Sequence, residues 1–175
     1  KNIIRPNELA TETALHHDVL IHALQEMKKN EHIPDVLIVL MANSPTIKSE
    51  WLDDCINLIL KEDFITSVVP VVLDQDKHPY RAKTLSKDGS LVSFFDFASN
   101  EIPTNRQELP ECYFLCHNFW AIRLTNGHLP EVGESPWAFL GHKVMPYIVD
   151  ESVDIHELFD LERSAKWLYE NNISL

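Results

Sequence analysis

The chain is poor in glycine, with four in 175 residues, the first of them Gly89. That excludes a glycine-containing phosphate loop from its first half, because such loops need residues without a Cβ to lay backbone N–H groups against a phosphate. Cysteine is scarce as well. Cys55, Cys112 and Cys116 are an odd and small set, which gives no disulfide framework and leads us to expect a reducing compartment, the cytoplasm. Cys112, Cys116 and His117 have no second ligand pair at zinc spacing, and alternation along a strand accounts for the two cysteines. No apolar run approaches the roughly 20 residues of a membrane span, and the start of the chain lacks the shape of a signal peptide. Basic residues are few, 15 Lys and Arg against 27 Asp and Glu, for a net charge of -12. A surface that acidic argues against nucleic acid or an anionic membrane as the main partner. An anionic substrate would need divalent metal and a few placed Arg or Lys residues.

What the chain does have is alternating helix and strand patterns. Apolar positions Leu20, Ala23, Leu24 and Met27 share one face of a helix expected over 15–29. Val36 to Leu40 is a continuous β-branched and aliphatic run, suited to a strand buried on both faces. A second helix is expected over 49–61, with Leu52, Cys55, Ile56, Ile59 and Leu60 inward. A strand follows over 64–73, with Pro70 near its end or at an edge. Strand, helix, strand in this order predicts a right-handed βαβ unit. Lys83 to Leu85 and Leu91 to Phe95 flank a turn at Asp88-Gly89 and read as a β-hairpin. Further strands are expected over 113–124 and 144–149. The last helix is expected over 155–171, with Leu158, Leu161, Ala165 and Leu168 as its core stripe.

These elements predict one α/β domain over 1–175: a mostly parallel sheet with helices on both faces and a hairpin insertion at about 80–100. In an open α/β sheet, ligands sit beyond the carboxyl ends of the strands. That points to the segment from Met41 to Thr46.

Several spaced motifs resemble the acylneuraminate cytidylyltransferase family, the CMP-sialic acid synthetases and their relatives. Arg5-Pro6-Asn7-Glu8-Leu9-Ala10 resembles its R-P-x-E-L-A, and Ile21-His22-Ala23-Leu24 the helix pattern that follows. Leu40 to Pro45 is similar to L-Q-x-T-S-P, and Asp63 to Val71 to the D-S-V-V-S-V strand. Arg106-Gln107-Glu108-Leu109-Pro110 with Tyr113 is similar to R-Q-x-L-P-x-x-Y, and Asp154-Ile155-His156 stands in the place of D-I-D. The resemblance implies a nucleotide-diphospho-sugar transferase-like fold. It implies transfer of CMP from CTP, or of another nucleotide, to an acidic nonulosonic sugar with release of pyrophosphate. Mg²⁺ would be the cofactor and a homodimer the assembly, with the hairpin as its contact. The family's A-R-x-G-S-K-x-x-P-x-K-N loop has no counterpart here, so the front of the domain, with its first strand and helix, is expected to be missing. A non-catalytic sugar- or nucleotide-binding relative, or a dimerisation partner of an active enzyme, is the alternative.

Residue by residue, Asn43 and Ser44 can bind a sugar or nucleotide, or simply satisfy a βα turn. Met41 replaces the family's glutamine. Arg106 offers a guanidinium fork for a carboxylate or phosphate and Gln107 an amide for hydroxyls; a solvated loop is the other reading. Cys116-His117-Asn118 replaces N-G-A, with His117 and Asn118 as candidate sugar contacts or a structural pair. Asp154 is the candidate magnesium ligand by resemblance and a catalytic residue with His156. Its D-x-x-E spacing to Glu157 equally predicts a capping box. His156 replaces the second aspartate, and imidazole is the poorer magnesium ligand. Asp74-Gln75-Asp76 reads as a solvated loop. In His16-His17-Asp18, one histidine is expected near the pocket and the other in solvent.

Overall fold

The computed structural model describes residues 2–96 and 102–173. Its helices are α1 (His16–Lys29), α2 (Ser49–Lys61) and α3 (Leu158–Glu170). Its strands are β1 (Val36–Leu40), β2 (Ser67–Leu73), β3 (Lys83–Leu85), β4 (Leu91–Ser93), β5 (Tyr113–Leu115), β6 (Phe119–Arg123) and β7 (Val144–Ile148). β1, β6 and β2 lie side by side. β7 pairs the far edge of β2, and β5 pairs β2 beyond β6.

Period-two alternation sorts the core into two halves. Trp120 and Ile122 of β6 pack with Val39, Val69, Val71 and with Leu20 and Leu24 of α1. Phe119 and Ala121, one position out of phase, pack with Val68 and with Cys55 and Ile59 of α2. Helices therefore cover both faces, but β1 is not the fully buried strand expected: it ends the strand order, only Val39 is buried and Leu40 is 56% exposed. Fully burying side chains the size of Ile59 or Phe119 contributes about 1.5–3 kcal/mol each. α2 is also tied to the sheet by Arg123. Its Nε donates to Ile65 O at 2.9 Å and its Nη2 to Glu62 O at 3.1 Å and to Ile59 O, satisfying carbonyls that a helix end leaves open.

The mostly parallel sheet is corrected by the structure. β7 pairs β2 in parallel, whereas β6 runs antiparallel to both β1 and β2, and β5 antiparallel to β2. β1 and β2 do run the same way, but β6 lies between them. Apolar content reports burial on two faces and carries no information on strand direction, so the incoming β6 was invisible in it.

The strand expected over 113–124 is broken in two. Val71 pairs Leu115 and Val68 pairs Ala121, so six steps on the returning chain cover three on β2. The three extra residues are Cys116, His117 and Asn118. Their cause lies opposite, at Pro70, which is fully buried in mid-strand and not at an edge or end as expected. Cys116 N–H donates to Pro70 O at 2.8 Å, but proline has no N–H to return the bond. Cys116 O takes the indole N–H of Trp120 instead, at 3.1 Å, and the chain leaves the ladder.

α3 also differs from expectation. It starts at Leu158 with Glu157 as N-cap. Asp160 Oδ2 accepts the backbone N–H groups of His156 at 3.0 Å and Glu157 at 3.1 Å. Asp154 is thus not the cap. The buried positions are Ser164, Trp167 and Leu168, while Leu158 and Leu161 are 71% and 51% exposed and Ala165 is exposed. Trp167 decides the face: it meets the ring of Trp51 edge-on at 5.7 Å, with Lys48 Nζ 5.6 Å from its centroid.

The hairpin is present as β3–β4, with Leu85 opposite Leu91. Gly89 has a φ of +83°, a value that suits glycine in the turn. Asp88 accepts from Ser90 N at 3.0 Å and from the hydroxyls of Ser90 and Ser86. These bonds, that of Ser86 foremost, bring its carboxyl down to about 2. The end of the expected insertion, 97–100, lies outside the described residues.

Candidate functional site

The chain leaves the carboxyl end of β1 through a loop held from two sides. Met41 N–H donates to Asn118 O at 3.1 Å, and Ser44 N–H to Met41 O at 3.1 Å. Three consecutive residues after β7 then lace onto this loop. Val153 N–H donates to Thr46 Oγ1 at 3.0 Å, and Ile155 N–H to Asn43 O at 2.8 Å. Between them, Ser44 Oγ donates to Asp154 Oδ1. Ser44 and Thr46 are fully buried, while the side chain of Asn43 remains exposed. The lacing sets Asp154 beside the end of β1, with a fixed hydroxyl on one of its oxygens.

The 116–118 excursion forms the next wall. Asn118 is fully buried, and its amide is used inside the protein: Nδ2 donates to Thr46 O at 3.0 Å, and Oδ1 accepts from Phe119 N at 3.2 Å. It braces the loop from beneath. The Cys116 thiol is pushed up chiefly by burial, with Asp154 adding to the rise while bonds from Ser152 and Val72 oppose it. His117 is half-buried, its ring 5.7 Å from Trp120 and 5.3 Å from Trp137. His16, at the start of α1, lies 5.8 Å from the same Trp120 ring.

Along the outer edge of β1 runs a cleft of about 520 Å³, lined by Arg5, His16, Leu37, Val39, Met41 and Asn43 among others. His16 is held below the ordinary histidine value by burial first, then by the charges of Arg5 and His117. His17 faces away from it, stacked on Phe139 at 5.7 Å and paired with Asp18 at 3.6 Å.

The structure thus brings Asn43, Ser44, Asn118 and Asp154 together, with His117 beside Asn118 on the excursion and against Trp120 and Trp137. It sets the others apart. His156 is exposed at the start of α3. Arg106 and Gln107 line a separate cleft of about 420 Å³ with Leu73, Asp74, Gln75 and Asp76, where Arg106 Nη1 meets Asp76 Oδ1 at 2.6 Å. Gln75 ties that segment down, donating to Pro110 O at 3.1 Å and accepting from Cys112 N at 2.9 Å. Asp74 is held low, first by the backbone N–H of Lys77, against an opposing effect of desolvation. Among the described residues no group of three or more His, Cys, Asp or Glu side chains could hold a metal. A single carboxylate such as Asp154 suits magnesium only in the form in which substrate phosphates and water complete the shell.

Two residues escaped the sequence reading as site members. Arg5 was visible in its motif, but nothing local tied it to Asn43; His16 is the histidine of the pair that lines the cleft. Trp137 gave no signal at all.

No protein-family profile and no curated protein matches the chain. Among solved structures, it is similar to CMP:2-keto-3-deoxy-manno-octonic acid synthetase complexed with CTP. The TM-score is 0.52 at 13% identity, over 87% of this chain and 68% of that one. At that identity the likeness shows a shared fold. Among the described residues no helix is long and apolar enough to cross a membrane.

Proposed function

We propose that the chain is the sheet and sugar-side portion of a sugar nucleotidyltransferase. In that reaction a sugar hydroxyl attacks the α-phosphorus of a nucleoside triphosphate and gives up its proton to solvent, a new P–O bond forms, the bond from the α-phosphorus to the α–β bridging oxygen breaks and pyrophosphate leaves. CTP and an acidic nonulosonic sugar are the proposed substrates. One observation carries the reading: the Asn43-Ser44 loop and Asp154 meet at the carboxyl end of β1, where open α/β sheets bind ligands, in a fold shared with a synthetase solved with CTP.

In this reading Asn43 contacts substrate with its exposed amide, and His117 contacts it from the excursion. Ser44 and Asn118 position, the first through Asp154 and the second through Thr46. Asp154 would be the protein ligand of Mg²⁺, which when bound neutralises phosphate charge. His156, Arg106 and Gln107 have outlying places in this scheme. They serve as contacts for the far parts of a bound sugar nucleotide. Catalysis then rests on positioning and charge stabilisation.

The test is pyrophosphate release by the protein given CTP, a nonulosonic acid and magnesium. Release that needs all three supports the reading. Absence of release across a panel of triphosphates and sugar acids removes it. The binding-only alternative is favoured by the lone carboxylate at the site, and it takes over if calorimetry shows sugar or nucleotide binding without turnover.

A further inference from the structure

In a chain with a net charge of -12, three nitrogenous side chains gather where few cations exist to spare. Arg5 and His16 line the cleft beside β1, and His16 and His117 flank the same Trp120 ring at 5.8 and 5.7 Å. Arg5 is held in place through its neighbour: Ile4 O lies 3.2 Å from His22 Nε2 on α1. Among the described residues no carboxylate lies within ion-pair distance of Arg5, and His16 lines the same cleft. α1 begins here with Leu15 at its N-cap and no side chain capping it, so the positive end of the helix adds to the same field. The groups around the cluster are accounted for. His17 and Asp18 of α1 pair with each other, Glu131 lines a neighbouring cleft with His16 and His17, and Asp154 lies beside Cys116.

We propose that Arg5, His16 and His117 form an oxyanion subsite at the mouth of the β1 cleft, and that His16 gains a proton when it fills. A guanidinium fork and imidazole N–H groups suit the oxygens of a carboxylate or a phosphate. The apolar wall of Leu37 and Val39 takes the uncharged part of the same ligand. Burial first, and then repulsion from Arg5 and His117, depress the affinity of His16 for its proton when the site is empty. A bound anion reverses that repulsion, so binding tightens as pH falls through the histidine range. The proposal rests on the cleft being a ligand site and stands apart from turnover.

Titration calorimetry tests it with three probes: inorganic phosphate, CTP and N-acetylneuraminic acid. For the probe that fills the subsite, affinity rises about tenfold between pH 8 and pH 6, the scale of one histidine unit. Comparing buffers of different ionisation enthalpy shows net proton uptake. A response from phosphate and CTP assigns a phosphate group, and a response from the sugar acid assigns a carboxylate. His16→Gln combined with His117→Gln removes the pH dependence, Arg5→Gln weakens binding at every pH, and the exposed His142→Gln changes neither. If the variants do not fold, the imidazole resonances of the unaltered protein decide, because that of His16 must titrate at higher pH once the probe saturates. Absence of proton uptake with all three probes, or imidazole titrations unmoved by saturation, overturns the subsite. Pyrophosphate release by a protein with no such response would leave the transferase reading standing alone, and a response without turnover would leave the subsite standing alone.

Discussion

Pro70 and Cys116 face each other across β2 and the returning chain, joined by one hydrogen bond where a ladder allows two. The 2.8 Å bond from Cys116 N–H is made, and the bond Pro70 cannot donate is replaced by the Trp120 indole on Cys116 O. The excursion that carries His117 to the site begins at this exchange. Trp120→Phe keeps the ring and removes the N–H, leaving a buried carbonyl without its partner. We expect a loss of about 1–3 kcal/mol in urea denaturation, together with a changed environment for the His117 resonances. Stability within about 0.3 kcal/mol of the unaltered protein would rule the exchange out as the anchor of the excursion.

Asp154 separates its possible roles cleanly because it is not the cap of α3. Asp154→Asn should lower pyrophosphate release at least about a hundredfold, the scale of losing a group that stabilises charge in the transition state, with the melting temperature changed by only a few degrees. Ser44→Ala deletes a buried hydrogen bond to a carboxylate and should cost about 1.5–3 kcal/mol with a partial loss of turnover. Full activity in Asp154→Asn, measured by coupled pyrophosphate assay, would leave Asp154 a purely structural tether.

The face that α3 presents to the core is open to a direct comparison. Ser164 Oγ is buried with no hydrogen-bond partner among the described residues, so Ser164→Ala should stabilise by about 1 kcal/mol, through relief of desolvation and better helix propensity. Trp167→Ala should cost about 3–5 kcal/mol. Leu161→Ala, at an exposed position, should stay within about 0.5 kcal/mol. Chemical denaturation of the three variants reads all of this, and a large loss at Leu161 with none at Trp167 would restore the stripe expected from the sequence.

Alkaline pH should unfold the protein early. Burial, and the Asp54 charge after it, push the Cys55 thiol up to about 12. Burial and the Asp54 hydrogen bond bring Tyr147 to about 12. Both groups hold their protons more tightly folded than unfolded. Their stabilising effect is therefore complete below the unfolded values, near pH 9 for the thiol, and is lost as pH climbs toward 12. Melting temperatures should fall steadily over that window, and Cys55→Ala should flatten the fall even though its cavity lowers stability at neutral pH. An equal slope in the variant would dismiss the thiol as its source.

The resemblance implies a homodimer, and we expect its contact at the hairpin. Leu85 and Leu91 stand opposite each other and are 69% and 71% exposed, in a two-stranded ribbon too small to be stable alone. Sedimentation should show a dimer that Leu85→Glu with Leu91→Glu converts to monomer. A monomer in the unaltered protein would reject the contact.

Local chemistry determined much of this protein. The helices over 16–29 and 49–61, the strand at 36–40 and the hairpin turn at Gly89 follow from periodicity and turn residues acting over a few positions. The place of the Asn43-Ser44 loop followed from β1 alone. Tertiary structure decided what depends on partners distant in the chain. The direction of β6 between β1 and β2 is set by backbone pairing that apolar content does not encode. Pro70 in mid-strand is tolerated because Trp120 supplies the donor that satisfies the carbonyl opposite. Asp154 joins Ser44 across 110 positions only because Asp160 and Glu157 cap α3 and leave it unclaimed. His16 and His117 converge for the same reason: two separate segments meet on Trp120, with Arg5 lining the cleft beside His16, and no window of sequence contains them all.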